Sequence, residues 1–233
     1  MLSQVVNLSI ADDQLLFRKI LKSFLEDQEN LRIVIETSDI ADLFDKLRRS
    51  SVDILLLDIS VLKTNSVDTF SALCREFPDI RILLISTNIE FELIEDLFEA
   101  GIYGYISKMD EPEELLRAIQ VVSQDRIYRS QFFTEALYRD KQNSMKVYKG
   151  GLIDPLSERE KKVIQLIWEE KNNKEIADEL FLGIRSIEKI RQDMKEKIGV
   201  KSTVGLLKYA IDQKIIRIQG TINAAISKTR KNN

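Results

Sequence analysis

The sequence predicts an α/β domain built on a doubly wound, five-stranded parallel sheet, followed by a smaller all-α domain of four helices. Three observations predict it. Five short, mostly β-branched apolar runs recur through the first half, segments of helical period separate them, and from Leu156 onward only helical periodicity is left. At 233 residues the chain also exceeds what one small core organises, and a prior of about 100 to 200 residues per domain gives two.

The strands are expected at 5–10, 33–35, 54–57, 82–85 and 103–106. Leu16, Ile20 and Phe24 mark the stripe of the first intervening helix, Ala41, Phe44 and Leu47 that of the second, and Ile94, Leu97 and Phe98 that of the fourth. In the third, Val67, Phe70, Leu73, Cys74 and Phe77 share a stripe, so the single cysteine reads as a packing residue. Pro112 suits the start of a fifth helix over 113–123. Strand alternating with helix demands parallel pairing through crossovers, with the strand order 2-1-3-4-5. A helix over 131–138 and a polar stretch 140–151 containing Gly150-Gly151 then read as a connection. Four further helices are expected at 157–168, 174–181, 186–198 and 204–214, before a polar, basic end. The domain boundaries are therefore 1–125, a joining segment 126–154, a helical domain 155–217 and a basic tail 218–233.

Composition narrows the chemistry. Histidine is absent, which excludes histidine-based triads and histidine metal ligands within this chain. One cysteine excludes an internal disulfide. With no long apolar run and no basic start to Met1–Ile10, a cytoplasmic location is expected. The net charge of −3 hides a split: residues 155–233 hold 17 Lys+Arg against 11 Asp+Glu, and residues 1–154 hold 18 against 27. An acidic half and a basic half suggest a cation for one and a polyanion for the other.

Polar residues interrupt the strand ends at telling places. Asp12 and Asp13 follow the first strand, Asp58 ends the third, Ser86 ends the fourth and Lys108 follows the fifth. A parallel sheet brings all of these to its carboxyl edge, where open α/β folds bind ligands. A single aspartate after a strand is an ordinary turn or cap; five such residues at one edge make a site. Three carboxylates together need a cation beside Lys108, and Mg²⁺ suits an all-oxygen donor set. Asp58 is then placed to act as a nucleophile forming an acyl phosphate, with Mg²⁺, Lys108 and the Ser86 hydroxyl on the phosphoryl oxygens.

With Ile10-Ala11-Asp12-Asp13, Leu55-Leu56-Leu57-Asp58, Leu83-Leu84-Ile85-Ser86 and Gly104-Tyr105-Ile106-Ser107-Lys108, the first half resembles the receiver domain of two-component response regulators. The resemblance implies a flavodoxin-like fold and phosphorylation of Asp58 by a sensor histidine kinase. It also implies metal ligation by Asp12, Asp13, Asp58 and the backbone carbonyl of Ser60, and a paired movement of Ser86 and Tyr105 as the switch. Self-phosphotransfer and self-dephosphorylation would be its only catalysis. The family's Met-Pro pair and later glycine are missing from Ile59-Ser60-Val61-Leu62-Lys63-Thr64-Asn65-Ser66, so this loop is expected to take another path.

In the basic half, the helices at 174–181 and 186–198 flank Leu182-Gly183-Ile184-Arg185, a helix-turn-helix spacing. Ile187, Ile190, Met194 and Ile198 give the second helix a core side. Opposite lie Arg185, Glu188, Lys189, Gln192 and Glu196, with Arg191 and Lys195 on the flanks. Such residues can reach base edges, while flanking cations and Ser186 can hold phosphates. Leu156-Ser157-Glu158-Arg159-Glu160, Asn173-Lys174-Glu175-Ile176-Ala177, Arg185-Ser186-Ile187-Glu188 and Lys197-Ile198-Gly199-Val200 resemble the LuxR-type helix-turn-helix of the NarL/FixJ class. That resemblance implies base contacts from Glu188, Lys189 and Gln192, and a helix over 204–215 that pairs two domains. Gly183 departs from the usual serine cap, Glu170 from a glycine, Ile190 from a histidine and Asp193 from an asparagine. The expectation is a transcription regulator that binds double-stranded DNA as a phosphorylated homodimer. The alternative is a receiver-containing adaptor acting through protein contacts; an independent phosphohydrolase has no second catalytic acid to support it.

Overall fold

The computed structural model describes residues 5–87, 91–130 and 156–216, apart from the side chains at 63–65, 91, 92, 95, 98 and 99. Strands β1 (Val6–Ala11), β2 (Leu31–Thr37), β3 (Ile54–Asp58), β4 (Arg81–Ser86) and β5 (Gly104–Ser107) form one parallel sheet in the order β2-β1-β3-β4-β5. The expected fold class and strand order are both observed. Helices α1 (Leu15–Glu26), α2 (Ile40–Leu47), α3 (Ser66–Glu76) and α4 (Phe91–Ala100) supply the crossovers, and α5 (Pro112–Ser123) follows the last strand.

The central strand explains the layering. Every residue of β3 is buried, and successive side chains point to opposite faces. Ile54 and Leu56 join Leu21 and Leu25 of α1 and Leu115, Ala118, Ile119 and Val122 of α5 in one apolar layer. Leu55 and Leu57 join Leu43 and Leu47 of α2, Phe70 and Leu73 of α3 and Ile94 and Leu97 of α4 in the other. Gly104 opens β5 because nothing larger fits: a Cβ there would lie 2.9 Å from Tyr128 Cβ and 3.0 Å from Leu83 Cδ1.

Two stripes differ from expectation. In the α1 series Leu16, Ile20, Phe24, only Phe24 packs against the core: Leu16 is 74% and Ile20 59% exposed, whereas Leu21 and Leu25 are buried. The helix carries a second apolar series one residue over, Phe17, Leu21, Leu25, and Arg18 selects it. Its guanidinium is buried, donating to the Asp12 carbonyl (2.5 Å) and to Glu36 (3.2 Å), which fixes the rotation of α1. In α2, Leu43 and Leu47 are buried and Ala41 is exposed. After Asp58 the chain forms a 3-10 helix over Ile59–Asn65 that buries Val61 and Leu62.

The second domain contains α6 (Glu158–Trp168), α7 (Asn173–Leu180), α8 (Ile184–Ile198) and α9 (Thr203–Asp212). Capping boxes start α6, at Ser157 with Glu160, and α7, at Asn172 with Glu175. Helix α8 begins two residues earlier than periodicity suggests, from Gly183, which makes no side-chain cap bond. Helix α9 is buried along its whole length from Val204 to Ile211. It packs on α6, α8 and, across the domain boundary, on α4.

The two domains share one apolar cluster, in which Ile94, Leu97 and Ile102 are continuous with Val204 and Leu207. Ion pairs close its rim: Arg126 with Glu175 (2.5 Å) and Arg129 with Glu170 (2.6 Å), the Arg129 guanidinium also lying 4.3 Å from the centre of the Trp168 ring. Glu170 has a left-handed backbone, φ 63°, a conformation that suits the glycine usual at this position. The expected helix over 131–138, the connection 140–151 and the tail 218–233 lie outside the described residues. No helix among the described residues is long and apolar enough to cross a membrane.

Candidate functional site

The sheet register aligns the strand ends. Ala11 pairs with Leu57, and Asp58 with Ile85. The ladder runs on through Asp12 N–H to the Thr37 carbonyl (3.1 Å) and Lys108 N–H to the Ser86 carbonyl (2.9 Å). Asp12, Asp13, Asp58, Ser86 and Lys108 therefore converge at the carboxyl edge, as their sequence positions suggest.

Asp12, Asp58 and Ser86 are buried, at 2%, 4% and 4% exposure, while Asp13 faces solvent. One oxygen from each of the three carboxylates lies within 4.8 Å of the others. Lys108 Nζ bridges Asp12 Oδ2, at 2.7 Å, and Asp58 Oδ2. The second oxygens are tied to backbone: Asp12 Oδ1 accepts from Gln14 N–H (2.8 Å) and Asp58 Oδ1 from Ser60 N–H (3.0 Å). Ser60 Oγ donates to Asp13 Oδ1 (2.8 Å), linking the 3-10 helix to the exposed carboxylate.

Charge is not balanced in this pocket. Burial pushes the Asp12 carboxyl above its ordinary value, and the neighbouring Asp58 charge adds to that, against the lowering effect of Lys108 and Gln14. Burial alone would lower the Lys108 ammonium, but the Asp12 and Asp58 carboxylates override it and raise it. One lysine against three carboxylates leaves a deficit of positive charge that an oxygen-seeking divalent cation fits.

Three supporting residues escaped the sequence reading. Phe17 places its ring 4.4 Å from Lys108 Nζ, a cation–π contact that helps hold the ammonium over the carboxylates. Arg18 holds the Asp12 main chain, and Glu36 holds Arg18 together with Lys19 and Lys22. An arginine within the apolar stripe of α1 was the available signal. Tyr105 is buried beside β4, its hydroxyl 3.5 Å from the Ser86 carbonyl.

On α8, Ile187, Met194 and Ile198 are buried and Ile190 is packed against them. Arg185, Ser186, Glu188, Lys189 and Gln192 are exposed together, Gln192 donating to Glu196 (2.6 Å). Arg191 and Lys195 do not join them. Arg191 donates to Asn173 Oδ1 and Thr203 Oγ1, and both cations line a cavity between the domains. At the turn before α8, Phe181 is left-handed and 95% exposed, and Ile184 is 44% exposed, so the tip of the motif is apolar.

Comparison with known proteins agrees with this fold. The family model of the response regulator receiver domain matches residues 8–120, and that of the luxR family of bacterial regulatory proteins matches residues 154–210. The oxygen regulatory protein NreC of Staphylococcus epidermidis is 28% identical over 212 residues, covering 89% of this chain and 97% of its own. NreC of Staphylococcus aureus strain JH9 is 28% identical over 211 residues, with the same coverage. Among solved structures, the RcsB response regulator of Salmonella typhimurium has a TM-score of 0.54 at 23% identity, over 88% of this chain and 98% of that one. A structure of two RcsB dimers bound to two parallel DNAs has a TM-score of 0.55 at 22% identity, over 90% and 99%. At these identities the structural likeness is one of fold. With both family models matched in this order along one chain, the protein belongs to the two-component response regulators of the NarL/FixJ class, a receiver followed by a LuxR-type helix-turn-helix.

Proposed function

We propose that this chain is a phosphorylation-switched transcription factor acting in the cytoplasm. Residues 1–125 accept a phosphoryl group on Asp58 from a sensor histidine kinase, residues 155–217 bind double-stranded DNA, 126–154 join them and 218–233 form a basic tail. The observation that carries this reading is the convergence of three carboxylates within 4.8 Å beneath a buried lysine that bridges two of them.

Asp12, Asp13, Asp58 and the main-chain carbonyl of Ser60 would hold Mg²⁺, which when bound supplies positive charge for the phosphoryl oxygens. An Asp58 oxygen bonds to the donor's phosphorus as the P–N bond of a phosphohistidine breaks; the imidazole leaves with a proton and an acyl phosphate remains. Lys108 exchanges an Asp58 oxygen for a phosphoryl oxygen, and the Ser86 hydroxyl donates to another. Hydrolysis of the acyl phosphate by water resets the site. No further catalysis is assigned.

The readout follows from connectivity. Ser86 ends β4, α4 follows it in sequence, and Tyr105 contacts Ser86 from β5. A shift of the Ser86–Tyr105 pair disturbs α4, and α9 packs on α4. Freed from the receiver, α9 pairs with a second copy, so that a homodimer reads half-sites about one helical turn apart. Glu188, Lys189 and Gln192 face bases, while Arg185, Ser186, Arg191 and Lys195 hold backbone phosphates. Because Arg191 and Lys195 face the receiver in the joined form, full DNA contact requires the domains to separate.

Incubation with acetyl phosphate and Mg²⁺, followed by intact-mass measurement, tests the acceptor. One phosphoryl group should add to the wild type and none to Asp58→Asn; an equal gain in the variant removes Asp58 from its role. A second measurement decides between transcription factor and adaptor. Binding of the phosphorylated protein to duplex DNA should weaken with salt, log K falling by about 0.9 per phosphate contact for each log unit, and an adaptor would bind no duplex.

A further inference from the structure

A cavity of about 520 Å³ lies between the domains, of a size that accommodates a small organic ligand. Its receiver wall carries Arg75 and Arg126, and its helix-turn-helix wall carries Lys171, Arg191, Lys195 and Lys201. Part of the lining is apolar, with Phe77, Ile80 and Ile127.

The carboxylates in the lining do not neutralise these cations. Asp125 is paired with Arg81 (3.5 Å) and accepts from the Tyr103 hydroxyl (3.0 Å), and Glu170 is paired with Arg129. Arg126 and Lys171 have carboxylate partners in Glu175 and Glu179. Arg75, Arg191, Lys195 and Lys201 have none within 4.0 Å among the described residues, and the hydrogen bonds of Arg191 go to neutral oxygens. Arg126 also keeps a buried Nε with no hydrogen-bond partner among the described residues.

Cations gathered from two domains without counter-charge repel one another, and the strain is legible at Lys195. Burial pulls its ammonium below the ordinary value, the neighbouring Arg191 pulls it further, and Glu196 only partly opposes them. A solvated basic surface relaxes by pointing its side chains apart. Here two walls hold the cations around one space, and an anion with several oxygens, long enough to reach both walls, relieves the repulsion on each side.

We infer that this interdomain cavity is a binding site for an oligophosphate-bearing small molecule, held jointly by Arg75 and Arg126 of the receiver and by Arg191, Lys195 and Lys201 of the DNA-binding domain. Such a ligand binds only while the domains are joined. It therefore favours the joined form and opposes DNA binding by linkage, independently of Asp58.

The test uses the unphosphorylated full-length protein in EDTA at constant ionic strength, so that the acidic pocket takes no part. Tripolyphosphate and ATP are titrated in separate arms, read by calorimetry and by the emission of Trp168, the chain's single tryptophan. Saturable binding is expected. Arg75→Gln and Lys201→Gln, both exposed residues on opposite walls, should each weaken it about tenfold, as loss of one charge-assisted contact implies. Equal affinity for the two probes assigns recognition to the phosphate chain; tighter ATP binding adds the apolar wall as a seat for the base. An absence of saturation with both probes overturns the proposal. So does binding indifferent to Arg75→Gln, which would place the anion on the DNA-reading domain alone. Equal weakening by Arg49→Gln, an exposed cation outside the lining, would reduce the effect to net charge and overturn it as well.

Discussion

Removing Arg129 should turn the unphosphorylated protein partly on. Arg129 sends Nε and Nη2 to the same Glu170 oxygen, at 3.0 and 2.6 Å, across the domain boundary, and lies 4.3 Å from the Trp168 ring centre. Its side chain is 19% exposed and that of Glu170 42%, so solvent screens the pair and about 1 kcal/mol is appropriate. The stacked guanidinium adds about 0.5 to 1 kcal/mol. Together these favour the joined arrangement by about 1.5 to 2 kcal/mol, so Arg129→Ala should raise the separated fraction about 10- to 30-fold. Apparent DNA affinity scales with the binding-competent fraction. The assay is fluorescence-anisotropy titration of a duplex selected by the phosphorylated wild type. Unphosphorylated Arg129→Ala should bind about 10- to 30-fold more tightly than unphosphorylated wild type, and the phosphorylated forms should bind alike. Equal affinities of the unphosphorylated proteins, with unchanged thermal stability, would refute the idea that this contact restrains the DNA-binding domain.

Other outcomes follow from the same geometry. Lys108→Met leaves Asp12 and Asp58 buried without their shared cation, which costs about 3 to 5 kcal/mol; thermal melts should show that loss, and Mg²⁺ should stabilise the variant more than the wild type and so recover part of it. Gly104→Ala would force a Cβ to 2.9 Å from Tyr128 Cβ and should destabilise by about 1 to 3 kcal/mol, measured by denaturant unfolding. Lys19, with Arg18 and Lys22, holds the Glu36 carboxyl below its ordinary 4.5, against the opposing effect of burial. A carboxylate depressed in the folded state stabilises above its unfolded pKa and loses that contribution as pH falls through the folded one. The stability gap between wild type and Glu36→Gln should accordingly be full at neutral pH and shrink below pH 4.5, as melts across pH would show.

The acidic pocket was legible because its residues break strongly apolar strands at their ends, and parallel topology carries such breaks to one edge. The buried side of α8 was legible for a related reason, since Ile187, Met194 and Ile198 repeat at helical spacing. Helix α1 was not, because its two apolar series differ by one residue and periodicity cannot rank them. The choice was made by Arg18, whose partners on Asp12 and Glu36 are distant in sequence. The path after Asp58 depended on whether Val61 and Leu62 could be buried, a property of the neighbouring core.

The domain interface was the least legible part. Arg126 and Glu175 are 49 residues apart, and Arg129 and Glu170 are 41 apart, with no local pattern to link them. One trace did exist. A glutamate at position 170, where the family has glycine, adopts a left-handed backbone that costs about 1 to 2 kcal/mol, and its carboxylate forms the ion pair with Arg129. Side-chain chemistry at the interface thus accounts for a residue that backbone preference alone would reject. The same packing separates the candidate DNA contacts, leaving Glu188, Lys189 and Gln192 open while Arg191 and Lys195 face the receiver.

In the proposed switch, phosphorylation exchanges one partner of α9, the receiver's α4, for another, a second copy of the chain. Sedimentation equilibrium with and without acetyl phosphate and Mg²⁺ measures this directly. The unphosphorylated protein and Asp58→Asn under both conditions should sediment as monomers, and the phosphorylated wild type as a dimer that Leu207→Asp, in α9, abolishes. A phosphorylated wild type that remains monomeric, or a dimer already complete before phosphorylation, would contradict it.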